Sequence, residues 1–193
     1  MDTKGKSSGR IFAENEQYIL RFLQTDDKEN YMETTMQNSD YPRAYDMDGF
    51  ADYCWQNTPE ENELIFCIFD KATDTYCGFC NLRHTDTDTP EVGISLLSEH
   101  HCKGIGYQAL RIMMDTYSIT NEVEYYIAKV SAYNTHSQHL MEKLGAVQSG
   151  REDSEFRQAV NSLMSKPDDT IQYVLSDLQE RYEDENQLIV YHL

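Results

Sequence analysis

Gly104-Ile105-Gly106 stands between the run Glu91 to Leu97 and a stretch whose apolar residues Ala109, Leu110, Met113, Met114 and Tyr117 recur at helical spacing. Glycines at a strand-to-helix junction let backbone N–H groups come close to a ligand. The helix start adds unpaired N–H groups and the positive end of its dipole. Together these features suit a diphosphate. Two common phosphate-binding patterns are missing. A dinucleotide fingerprint needs a third glycine, and Ala109 occupies its place; a nucleoside-triphosphate loop needs Lys followed by Ser or Thr, which the segment lacks. Taken alone, Gly-x-Gly serves a plain strand-to-helix turn equally well.

Two other constellations invite chemistry and are set aside. Cys77-Gly78-Phe79-Cys80 has redox-motif spacing, but it lies in Tyr76 to Arg83, which reads as a strand. Residues three apart on a strand point to opposite faces, whereas redox pairs start a helix. His136-x-x-His139 puts two imidazoles on one helical face, with His100 and His101 elsewhere in the chain. No acidic or cysteine ligand stands at a fixed spacing beside them, so no metal is expected.

The chain has 193 residues, 39% hydrophobic and 26% charged, which suits a single domain able to bury a core. No apolar run approaches the roughly 20 residues of a membrane helix. The N-terminal Met1 to Lys6 lacks the apolar stretch of a secretory signal. The five cysteines, an odd number without framework spacing, suit reduced thiols. A cytoplasmic location is expected, with no membrane partner. The net charge of −18 repels phosphate backbones and disfavours nucleic acid, while it would draw in a cationic substrate. Its plainer reading is solubility.

The elements that would position these residues follow from pattern. Residues 1–16 read as a loose arm, Tyr18 to Leu23 as a first strand, and Thr25-Asp26-Asp27 as a cap for a helix reaching Met36. Tyr41-Pro42 breaks it, and Asp46 to Trp55 reads as a second helix. Leu64 to Phe69 and residues 76–83 form a hairpin about a polar turn; Glu91 to Leu97 is the next strand. After the helix opened by Gly104, Tyr125 to Ala132 is a strand. Asn134 then caps a helix with an inner face of Leu140, Met141 and Leu144, stopped by Gly145. Residues 151–186 read as a helical insertion, with helices over Phe156 to Ser165 and from Pro167 onward, before a last strand over 187–193. The sum is an α/β fold, one twisted mixed sheet of six to seven strands flanked by helices.

Two segments in this order carry a resemblance. Strand, Asn134, two residues, Ser137, then Glu142-Lys143-Leu144-Gly145 resembles the second hallmark of the GNAT acetyltransferases. The segment 91–110 resembles their first, a Gln/Arg-x-x-Gly-x-Gly/Ala loop, and Leu20-Arg21-Phe22-Leu23 with Asp26 is similar to their opening strand and helix. Glu91-Val92-Gly93 ahead of the loop is similar to the RimJ/RimL branch, which includes ribosomal-protein N-terminal acetyltransferases and resembles polyamine acetyltransferases. The resemblance covers about residues 17–150 and the last strand. The chain departs from it at His101, where Gln or Arg is usual; at Met141, where several relatives carry a tyrosine proton donor; and in the long segment 151–186.

The resemblance implies an N-acetyltransferase that takes acetyl-CoA as co-substrate, needs no metal, and acts as a monomer or homodimer. The acceptor would be a primary amine, such as a protein N-terminus, a polyamine or another small amine. It places the CoA diphosphate over Cys102, Lys103, Gly104, Ile105, Gly106 and Tyr107, with Leu97 alongside, and sets the backbone N–H of Leu96 against the thioester oxygen. Glu91 becomes the candidate base, direct or through one water, its plainer reading being a solvent-facing carboxylate. Asn134 would touch the pantetheine arm as well as cap its helix. Ser137 would give the leaving sulfur a proton, with Tyr133 as the weaker alternative. Two rivals remain: a non-catalytic acyl-CoA-binding regulatory domain, and an interaction module built on residues 151–186.

Overall fold

The computed structural model describes residues 9–39, 42–153 and 187–193. Contacts divide the chain into two compact units, residues 1–126 and 127–193. In the first, β1 (Ile11–Glu14), β2 (Tyr18–Phe22), β3 (Leu64–Asp70), β4 (Thr75–Arg83) and β5 (Glu91–Leu96) run antiparallel in that order. Helix α1 (Lys28–Gln37) packs on β4 and β5, α2 (Phe50–Gln56) packs on α1, and α3 (Ile105–Tyr117) packs on β1, β2 and β5. The central strands are buried on both faces. For that reason β3 reads as a continuous apolar run, Ile65-Phe66-Cys67-Ile68-Phe69, all at most 3% exposed.

The hairpin 64–83, the strand from Glu91 and the apolar stripe of α3 stand where the pattern places them, with Ala109, Leu110, Met113, Met114 and Tyr117 all buried. Three bounds differ. The arm expected to be loose over 1–16 contains β1, because Phe12 stacks on Phe66 at 4.1 Å and meets Phe22 edge-on at 5.7 Å. The second helix begins at Phe50 rather than Asp46; a 3-10 turn, Pro42–Asp46, and Gly49 at φ 78° precede it. Residues 151–153, assigned to the helical insertion, belong to a strand of the second unit.

That unit contains β6 (Ile127–Ser131), α4 (Thr135–Leu144), β7 (Val147–Asp153) and β8 (Gln187–His192). Strand β8 pairs antiparallel with both β6 and β7. β7 is polar and exposed along most of its length, so pairing rather than burial makes it a strand. Among the described residues the strands number eight, against the six to seven expected. The helices expected between Phe156 and Gln187 lie outside the described residues.

Arg21 and Asp27 lock β2 to the start of α1. Arg21 is 1% exposed and Asp27 3%. The guanidinium donates to both Asp27 carboxylate oxygens at 2.7 and 2.8 Å, and Arg21 Cζ lies 4.7 Å from the Phe69 ring centroid. Asp27 also accepts the Gln24 N–H at 2.8 Å.

Candidate functional site

β5 delivers the chain to the glycine loop. The Leu97 N–H donates to the Cys77 carbonyl on β4 at 3.0 Å. N–H direction alternates along a strand, so the Leu96 N–H lies on the side of β5 away from β4. The Leu96 carbonyl accepts from Asn38 Nδ2 at 2.9 Å and sits 3.0 Å from His101 Nε2. Thus His101 pins the strand end. Beyond it Cys102 has φ 59° and Gly104 φ 80°. A Cβ placed on Gly104 would meet nothing within 4 Å, so the space outside the α3 N-terminus is open. Cys102, Lys103 and Gly104 are exposed, Ile105 and Gly106 are buried anchors, and Tyr107 is half-buried. The 13-residue α3 has no side-chain cap, and the N–H groups of its first turn lack intrahelical acceptors. An open left-handed glycine before such a helix fits a diphosphate.

Glu91 is not the solvent-facing carboxylate of its plainer reading. It is 6% exposed and pairs with Arg83 Nη2 at 3.0 Å, its register partner on β4. It begins β5 while Leu96 ends it, and five residues at ~3.4 Å put their Cα atoms about 17 Å apart. The register between them is unbroken. An amine attacking a carbonyl bound at Leu96 therefore cannot hand its proton to Glu91 directly or through one water.

In the second unit Asn134 caps α4, its Oδ1 accepting the Ser137 N–H at 3.0 Å. Ser137 is half-buried on the first turn, and Tyr133 is 56% exposed. Met141 is 3% exposed and serves as packing. We expect Asn134→Ala to cost about 0.5–2 kcal/mol. A thermal melt checks this, at roughly 2–4 °C per kcal/mol for a chain of this size. An unchanged melting temperature would show that the cap contributes nothing.

The model for the acetyltransferase (GNAT) domain matches residues 16–147, more than half of the chain. The chain belongs to the GNAT acetyltransferase family. It is an N-acetyltransferase by class, and acetyl-CoA is the acyl donor of the family. No curated protein sequence matches it. Among solved structures, this GNAT protein is similar to RimL, the ribosomal L7/L12 α-N-protein acetyltransferase, in complex with coenzyme A, with 12% identity, TM-score 0.66, and 95% of this chain and 97% of that one covered. It is also similar to the spermidine N-acetyltransferase from Vibrio cholerae in complex with CoA and spermine, with 18% identity, TM-score 0.62 and coverage of 93% and 96%. The ribosomal-protein-S5-alanine acetyltransferase from Vibrio fischeri shares 16% identity at TM-score 0.60, with coverage of 93% and 94%. At these identities the likeness shows the fold.

The GNAT enzyme also carries a constellation that the sequence alone did not reveal. Phe79, Asn81 and Arg83 alternate along one face of β4, directly opposite Ser95, Gly93 and Glu91 of β5. Asn81 lies over Gly93, where a Cβ would come within 2.2 Å of Asn81 Oδ1. Asn81 Nδ2 donates to Glu63 Oε1 at 2.6 Å. Tyr31 of α1 lies tilted against Phe79 at 4.5 Å and meets Trp55 of α2 at 5.9 Å. Burial, then the Glu63 charge, pushes the Tyr31 hydroxyl up to about 12. No spacing rule links Tyr31, Trp55, Glu63 and Asn81; the packing of α1 on β4, of α2 on α1, and the pairing of β3 with β4 join them. The thiols do other work. Burial pushes Cys77 up to about 11 and raises Cys67 and Cys80 further, which suits inert core thiols. Among the described residues no group of three or more His, Cys, Asp or Glu is placed to hold a metal ion.

Proposed function

We propose that this GNAT enzyme moves acetyl from acetyl-CoA directly onto a primary amine. The observation that carries the reading is the end of β5, where an N–H turned from β4 is followed at once by the open Gly104 before α3. Such an arrangement offers one donor to a thioester oxygen and several to a diphosphate. In the reaction the amine nitrogen bonds to the thioester carbon, the carbon–sulfur bond breaks, and the thiolate takes a proton. The diphosphate lies over 102–107 with Leu97 alongside. Asn134 touches the pantetheine arm, and Ser137 is the proton donor to sulfur.

The amine must first lose a proton, because an alkylamine near pKa 10.4 is mostly charged at neutral pH. Glu91 receives that proton through a chain of several waters. The assay is thiol release from acetyl-CoA with a panel of amines. Glu91→Gln keeps the shape, and Arg83, 45% exposed, can turn to solvent, so the variant folds. We expect turnover to fall about 10²-fold at neutral pH. The deficit should shrink as pH rises, because more of the amine is then already neutral. Full turnover at neutral pH would mean that the proton leaves by another route. CoA binding without thiol release, for every amine, would leave a non-catalytic acyl-CoA-binding domain.

A further inference from the structure

We infer that Glu63, held by Asn81 and bounded by Tyr31, Trp55 and Phe79, binds a second cationic centre of the acceptor, so that the substrate class is a short aliphatic diamine. The inference rests on the acetyltransferase reading and names its acceptor. Glu63 Oε1 accepts from Asn81 Nδ2 at 2.6 Å and Oε2 from the Glu60 N–H at 3.0 Å. Each carboxylate oxygen accepts two hydrogen bonds, so acceptor capacity remains. Among the described residues no cation pairs with Glu63. Its neighbour on this face, Glu91, is by contrast paired with Arg83.

The surroundings suit an ammonium group. Tyr31 and Trp55 are half-buried and meet edge to face, and Tyr31 lies close enough to Glu63 to feel its charge. Aromatic faces attract cations, the more so when water is partly excluded. The Glu63 charge is felt at Tyr31, where it adds to burial in raising the hydroxyl. Gly93 leaves the room that Asn81 fills, and Asn81, 8% exposed, fixes the carboxylate.

Position sets the length of the substrate. Asn81 lies opposite Gly93, and Phe79 lies opposite Ser95. The Glu63 level is thus two residues, about 7 Å, further from Leu96 than the Ser95 level. An amine attacking near Ser95 would place a second amine at Glu63 when a short methylene chain joins them. The net charge of −18 favours the approach of such a dication.

The test compares putrescine with butylamine, which share a carbon chain and differ by one amine. Calorimetry on the full chain should show tighter binding of putrescine. In steady-state assays Glu63→Gln should raise the KM for putrescine about ten- to hundredfold, as expected for losing a charged hydrogen bond. The KM values for butylamine and acetyl-CoA should not move. Gln can still accept from Asn81, so the fold is kept. Equal binding of the two amines by the wild-type protein overturns the inference whether or not acetyl is transferred. An equal loss for both amines in Glu63→Gln also overturns it, because Glu63 would then serve the reacting amine. Failure of thiol release with every amine instead sinks the acetyltransferase reading, and the calorimetric comparison still decides the role of Glu63.

Discussion

Gly104→Glu is expected to abolish CoA binding while leaving the protein folded. Gly104 has φ 80°, a conformation that L side chains rarely adopt, so the backbone strain costs about 1–2 kcal/mol. No steric cost adds to it, since a Cβ there meets nothing within 4 Å. The new side chain would project into the space assigned to the diphosphate. A carboxylate beside a diphosphate costs several kcal/mol, which is a loss on the order of 10³-fold in affinity. Gly104→Ala separates the two effects, because it carries the strain without the charge and should bind CoA within about tenfold of wild type. Calorimetry with CoA, run beside a thermal melt, reads both. Wild-type affinity in Gly104→Glu would move the diphosphate away from residues 102–107.

Arg21→Leu is expected to be the most damaging single change to stability. The guanidinium is 1% exposed and is the ion-pair partner of an Asp27 that is 3% exposed. Removing it strands a buried carboxylate, which costs about 3–5 kcal/mol. Against a total stability of about 5–15 kcal/mol that is a large share. The melting temperature should fall by roughly 6–20 °C at 2–4 °C per kcal/mol. Adding Asp27→Asn should recover part of the loss, because Asn removes the stranded charge and can still accept the Gln24 N–H. A drop below about 2 °C in Arg21→Leu, by the same conversion, would show that Asp27 finds another partner or water.

The same pair illustrates what pattern can and cannot reveal. Leu20-Arg21-Phe22 is legible as a strand because β-formers alternate with turn signals around it. That Arg21 points inward, and that its partner is Asp27 rather than Asp26, depends on how the strand enters α1. The glycine loop was legible because one short segment holds strand, turn and helix together. Asn134 was legible as a cap for the same local reason, with Ser137 three residues on. Glu91 shows the limit: its place at the head of β5 was read correctly, yet its burial, its Arg83 partner and its distance from Leu96 belong to the sheet. Glu63 and Asn81 escaped notice because residues 18 apart meet only when the loop before β3 returns to β4. β7 has an exposed, polar sequence with no periodicity that would fix its bounds.

The loop that fits the diphosphate also carries an exposed thiol. Cys67, Cys77 and Cys80 are buried, whereas Cys102 is exposed beside Gly104. A thiol-alkylating reagent would therefore reach Cys102 readily and the core thiols only slowly. A diphosphate over residues 102–107 would shield Cys102, so its labelling rate becomes a native gauge of loop occupancy, readable by mass spectrometry without substitution. The same thiol would consume a disulfide reagent used to count released CoA, which makes a Cys102→Ser background the cleaner one for that assay.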